Sequence, residues 1–135
     1  MQLKSYTDIE QSRELVEILP LESADMYYFL DPTPAGNIYH LVVQRVDFGT
    51  KNLPQYDEGD ISCWSLASLL EEIPEVICFD DDESDYTLEI LKEGGFYYLS
   101  YGNSLEHGKI EIEPQENFVD ACVELILKLK EQNLL

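Results

Sequence analysis

The side chains able to do chemistry here are of few kinds: three cysteines (Cys63, Cys78 and Cys122), two imidazoles (His40 and His107) and many carboxylates. A catalytic thiol needs a base within reach and a partly exposed, electropositive setting that holds the thiolate. Each cysteine lies instead in an apolar stretch, where a free thiol behaves as a small hydrophobe, and Cys122 reads as a core residue. Their wide spacing contains no C-x-x-C, so neither a zinc knuckle nor a thioredoxin-type pair is present.

The run Asp80-Asp81-Asp82-Glu83-Ser84-Asp85 sets oxygen ligands at alternating positions, as an EF-hand loop does. That loop needs Gly at its sixth position and Glu at its twelfth, and here they are Asp85 and Leu91. The calcium reading fails, and a solvated acidic hairpin flank takes its place. Among 28 Asp and Glu no carboxylate pair is singled out for acid and base work. The chain also lacks a phosphate-binding glycine loop, an H-E-x-x-H pair and a nucleophile elbow. No catalytic residue, metal ligand or cofactor is assigned, and enzymatic activity is unsupported.

Charge is the strongest compositional fact. Eight Lys and Arg against 28 Asp and Glu give a formal net charge of -20. Such a field repels phosphate backbones and anionic lipid surfaces, so direct nucleic-acid binding and membrane docking are disfavoured. A charge-steered partner must be basic, unless the charge serves solubility alone. The start of the chain has no apolar signal region, no run approaches a membrane span, and a reducing cytoplasm is the expected setting.

The elements that must position these groups follow from local patterning. Thr7-Asp8-Ile9-Glu10 has capping-box form and opens a helix from Thr7 to Leu19, closed by Pro20. Met26 to Leu30 and Ile38 to Val46 suit two strands of a hairpin, with turn formers from Asp31 to Asn37 between them. A long exposed loop is expected from Asp47 to Asp60, of a length at which loops are often functional.

Cys63 to Pro74 reads as a short helix carrying the only Trp, with Leu66, Leu69, Leu70 and Ile73 on one face and Ser62 or Ser65 as cap. Glu71 and Glu72 in its last turn oppose the helix dipole, so it depends on packing, and Trp64 is its anchor. Val76 to Phe79 suits a buried strand. Tyr86 to Glu93 and Phe96 to Tyr101, joined by Gly94-Gly95, give the clearest hairpin; Phe96 and Tyr98 share one face, Tyr97, Leu99 and Tyr101 the other. Lys109 to Glu113 alternates as a charged edge strand, and Phe118 to about Glu131 is a mostly buried helix.

The tyrosines concentrate on the expected strands. Cross-strand packing accounts for them, and the surrounding charge argues against a base-stacking platform. An acid-rimmed aromatic face would suit a protein partner. The candidate interaction surface comprises Asp57, Glu58, Asp60, Asp80, Asp81, Asp82, Glu83 and Asp85.

Three segments carry a resemblance: Glu22-Ser23-Ala24-Asp25-Met26-Tyr27-Tyr28, Cys63-Trp64-Ser65-Leu66, and Val119-Asp120-Ala121-Cys122-Val123-Glu124. Together they resemble small acidic uncharacterised proteins of Bacteroidetes genomes and their phages or mobile elements. That group has no assigned activity, so the resemblance implies no site residues; it implies a bacterial cytoplasmic setting.

The expectation is one α+β domain over residues 1–135. It would hold a mainly antiparallel sheet of about four to six strands, N- and C-terminal helices on one face, and a short central helix. Two functions are carried forward. One is a non-enzymatic interaction module for a protein partner, in one version a nucleic-acid mimic on a basic protein. The other is a small-ligand binder or enzyme with a site between the sheet and the 47–60 loop. Self-association stays open.

Overall fold

The computed structural model describes residues 4–43, 59–79 and 82–135, without the side chains at 82 and 83. They form an α+β domain with two antiparallel sheets and helices near both ends. The first sheet has the order β2-β1-β3, from β1 (Met26–Thr33), β2 (Gly36–Val43) and β3 (Ile61–Cys63). The second has the order β4-β5-β6-β7, from β4 (Val76–Phe79), β5 (Asp82–Glu93), β6 (Phe96–Gly102) and β7 (Ile110–Glu111). Dividing the strands this way separates two hairpins that local patterning alone assigns to one sheet.

Helix α1 (Ile9–Leu15) is shorter than its pattern predicts and begins two residues later. Asp8, not Thr7, is the cap: its side chain accepts from the Gln11 amide while the Gln11 side chain returns to Asp8. Thr7 is fully buried and bonded elsewhere, which removes it from capping. Lys4 locks this corner to the last helix, its ammonium donating to Gln11 Oε1 at 2.6 Å, Asp120 Oδ1 at 2.7 Å and Asp8 Oδ2 at 3.2 Å.

The first hairpin runs further into its turn than expected, with pairing from Met26↔Val43 out to Thr33↔Gly36. Residues 44–58 lie outside the described part, and with them the end of the predicted second strand and most of the predicted loop. Cys63, expected in a helix, closes β3 and pairs with Met26. Helix α2 (Leu66–Glu72) starts only after Trp64 and is capped by Ser65, which accepts from the Ser68 amide. Leu69 and Ile73 are buried and Leu66 and Leu70 half-buried, so the predicted apolar face is the one that packs. Ile73 leaves helical geometry at ψ 120° because Pro74 follows.

Gly94 and Gly95, at φ 60° and 83°, make the tight turn between β5 and β6. Pairing runs from Glu93↔Phe96 to Thr87↔Gly102. Strand β6 is central, as its two-faced apolar pattern implies, and β7 is an edge. Two expectations are corrected. Asp82 to Asp85 belong to β5 rather than to a loop, because that strand extends past Tyr86 to pair with β4. Strand β4 is also an edge, with only Ile77 buried and Val76 and Cys78 exposed, because one of its faces is left uncovered.

Helix α3 (Phe118–Glu131) matches its predicted span, capped by Asn117, which accepts from the Val119 and Asp120 amides. Its Val119, Cys122, Leu125, Ile126 and Leu129 are buried against Leu99 and Tyr101 of β6, with Leu15, Trp64 and Leu69 in the same cluster. Full burial of such an aliphatic side chain contributes up to roughly 1.5–3 kcal/mol, so this helix is the main apolar closure of the molecule. No helix among the described residues is long and apolar enough to cross a membrane.

Candidate interaction surface

Helix α3 packs on the face of the second sheet that carries Leu99 and Tyr101, and no helix among the described residues covers the other. The register decides which side chains are left there. Directly paired residues share a face in an antiparallel sheet, so Glu89, Ser100 and Glu111 form one row across β5, β6 and β7. Leu91 and Tyr98 form the next row, and Glu93 and Phe96 the last before the turn. Leu91 is 53% exposed, and Phe96 and Tyr98 each 38%. An apolar strip thus stands open with carboxylates on both sides of it.

The surroundings keep that face negative. A hollow of about 350 Å³ beside Tyr98 is lined by Glu111, Glu113, Pro114 and Lys128. The Lys128 ammonium is held by the backbone carbonyl of Glu111. His107 Nδ1 lies 3.9 Å from Glu89 Oε1. Gly102 leaves room for that carboxylate: a Cβ there would stand 3.2 Å from Glu89 Oε1 and 3.1 Å from the Glu106 carbonyl.

Of the singled-out acidic residues whose side chains are described, Asp85 lies on this face, paired with Cys78 at its far end. Asp60 belongs to the other sheet and accepts from the Leu30 amide at 3.0 Å, a structural bond. Asp57, Glu58, Asp80 and Asp81 lie outside the described residues, as do the side chains of Asp82 and Glu83. Leu91, Glu89 and Glu111 were not singled out as site residues by sequence. The signal for them existed: the Gly94-Gly95 turn fixes the register that places Leu91 opposite Tyr98.

Trp64, the predicted anchor, is 0% exposed within the main core cluster, its indole N–H donating to Ser23 Oγ at 2.9 Å. Around it lies a closed polar cluster. The Trp64 amide donates to Thr7 Oγ1 at 3.1 Å, and Thr7 Oγ1 lies 2.8 Å from Ser12 Oγ. Tyr28 Oη and Cys63 Sγ both donate to the Thr7 carbonyl, at 2.6 and 3.3 Å. The Ser65 hydroxyl donates to the Asp25 carboxylate.

This is a grouping of Thr, Ser, Tyr and Cys, but its chemistry is quiet. Burial pushes the Cys63 thiol up, with hydrogen bonds from Thr7, Tyr28 and Ser12 pulling partly back. The Tyr28 phenol is likewise raised, by burial first and then by Cys63. Burial pushes the Cys122 thiol up to about 12. Cys63 and Cys122 are therefore protonated packing residues, whereas Cys78, expected in an apolar setting, is exposed on the β4 edge. The imidazoles face carboxylates, His40 Nε2 lying 3.2 Å from Asp31 Oδ2.

One further depression, of about 460 Å³, lies between α1 and the first sheet, lined by Arg13, Val16, Leu21, Tyr39, Asp60 and Ile61. No grouping of three or more metal-ligating side chains occurs among the described residues. Comparison with protein-family models, curated proteins and solved structures finds no match to this chain.

Proposed function

We propose that this chain is a non-enzymatic interaction module that offers an acidic, aromatic sheet face to a basic protein. One observation carries the reading: Leu91, Phe96 and Tyr98 stand open together among Glu89, Glu93 and Glu111 on a face that no helix among the described residues covers. Aromatic side chains are favoured at interface centres, and a net charge of -20 raises the encounter rate with cations. In the bacterial or phage setting that the resemblance implies, the partner is a nucleic-acid-binding protein whose binding site this chain occupies as a mimic. The test measures affinity for a basic nucleic-acid-binding protein across ionic strength, with the parent chain and with Glu89, Glu93, Glu111 and Glu113 all changed to Gln. Binding should weaken steeply with salt and fall in the Gln variant. Affinity indifferent to both changes overturns the reading.

A second reading rests on the Arg13 depression between α1 and the first sheet, whose wall includes Gly59 and Asp60. Arg13 donates to Tyr39 Oη at 3.5 Å beside apolar walls, a setting for a small carboxylate. It ranks second because the hollow is open to solvent and faces a strongly anionic field. A panel of small carboxylates that leaves the melting temperature unmoved in both the parent and Arg13→Gln would remove it.

A further inference from the structure

The open face is not a uniform acidic patch. Along β5 the outward residues alternate Glu89, Leu91, Glu93, so an apolar side chain stands between two carboxylates at steps of roughly 7 Å. Across the sheet, Tyr98 continues the Leu91 row towards the hollow with Glu111 and Glu113, and Phe96 lies beside Glu93. A partner that offers only positive charge would satisfy the carboxylates and leave Leu91, Phe96 and Tyr98 in water. A partner that offers only apolar surface would strip water from the carboxylates without pairing them, which is costly.

We infer that this face takes a cationic amphipathic peptide segment, whose apolar side chains lie on Leu91, Phe96 and Tyr98 while flanking Lys or Arg side chains meet Glu89, Glu93, Glu111 and Glu113. The inference rests on the interaction-module reading and names the chemistry of its partner. Charge complementarity selects this occupant over the others. A second copy of the chain would bring the same carboxylates and another net charge of -20 against the face. Nucleic acid would bring phosphates. An amphipathic cation supplies both an apolar cover for the strip and positive charge for carboxylates that outnumber the Lys128 and His107 beside them. Its binding must then have two parts: a Coulombic part that salt screens and an apolar part that persists.

The test compares two synthetic peptides of equal positive charge by calorimetric titration on the full chain. One combines Leu and Lys at helical spacing; the other is oligolysine. The Leu/Lys peptide should bind at least about tenfold more tightly, with the margin growing as salt rises. Changing Leu91, Phe96 and Tyr98 together to Ser should abolish that margin while the melting temperature stays near the parent's. Equal binding of the two peptides, or a margin that survives the triple change, overturns the inference.

The Gln variant separates this failure from that of the underlying reading. If it loses both peptides while they bind the parent alike, a basic partner stands and the amphipathic one falls. If it binds both as well as the parent does, both readings fall. A dimer of the free chain that the triple change dissolves would assign the face to a second copy and also overturn the inference.

Discussion

Two regions of this molecule use similar side chains to opposite ends. Around Trp64, tyrosine and hydroxyl groups are closed away from water, and each buried side-chain polar atom among the described residues has a partner. On the outer face of β5, β6 and β7, Leu91, Phe96 and Tyr98 are left in water with carboxylates beside them. Residue type does not distinguish the two; coverage does. The same tyrosine is a pillar when a helix or strand lies over it, and a contact surface when nothing does. A search for function by residue type would have led to the Thr7, Ser12, Tyr28 and Cys63 cluster, where the thiol is buried and held protonated.

The largest test of this contrast is Trp64→Ala. With the indole fully buried in the shared core, it should cost about 3–5 kcal/mol in chemical denaturation. A change under about 1 kcal/mol would mean that the closed region is not closed, since an ordinary surface substitution stays within about 0.5 kcal/mol. Next comes Thr7→Val, which keeps the shape but removes the oxygen that accepts from the Trp64 amide. It should cost about 1–3 kcal/mol, since a buried donor loses its partner.

A graded effect follows from pH. Burial holds the phenols of Tyr28 and Tyr101 and the thiols of Cys63 and Cys122 above their ordinary values of 10.0 and 9.0. The folded state therefore keeps protons that the unfolded chain releases. Stability from these groups is complete below the ordinary thiol value and is lost as pH rises through the folded values. A melting temperature that held steady or rose across that alkaline range would contradict it. The smallest effect belongs to the open face, where Leu91→Ser with Tyr98→Ser should change stability by no more than about 0.5 kcal/mol per site. A large loss there would make the strip part of the core.

Much of this was legible in the chain, for reasons that can be located. The β5–β6 hairpin was readable because its turn needs two left-handed residues and Gly94-Gly95 supplies them. Helix α3 was readable because its caps, charges and apolar stripe agree. The misreadings lie where a distant partner decides. Thr7 looks like a cap until the Trp64 amide claims its hydroxyl, and Cys63 looks helical until Met26 pairs with it. Cys78 looks buried because its neighbours are apolar, but an edge strand with one covered face exposes alternate residues. The candidate face was half legible. The common side of Phe96 and Tyr98 followed from alternation, whereas the absence of any cover over it belongs to the arrangement of helices and has no local signature.

The position of the single Trp has a spectroscopic consequence. Because Trp64 is fully buried in the cluster built by α2, α3 and β6, and its N–H bonds Ser23, its emission should be blue-shifted and shielded from aqueous quenchers. All indole fluorescence of the chain then reports this one core position and nothing at the open face. A ligand that docks on Leu91 and Tyr98 without disturbing the core would leave that emission unchanged; a red shift on binding would reveal that the packing around Trp64 had loosened.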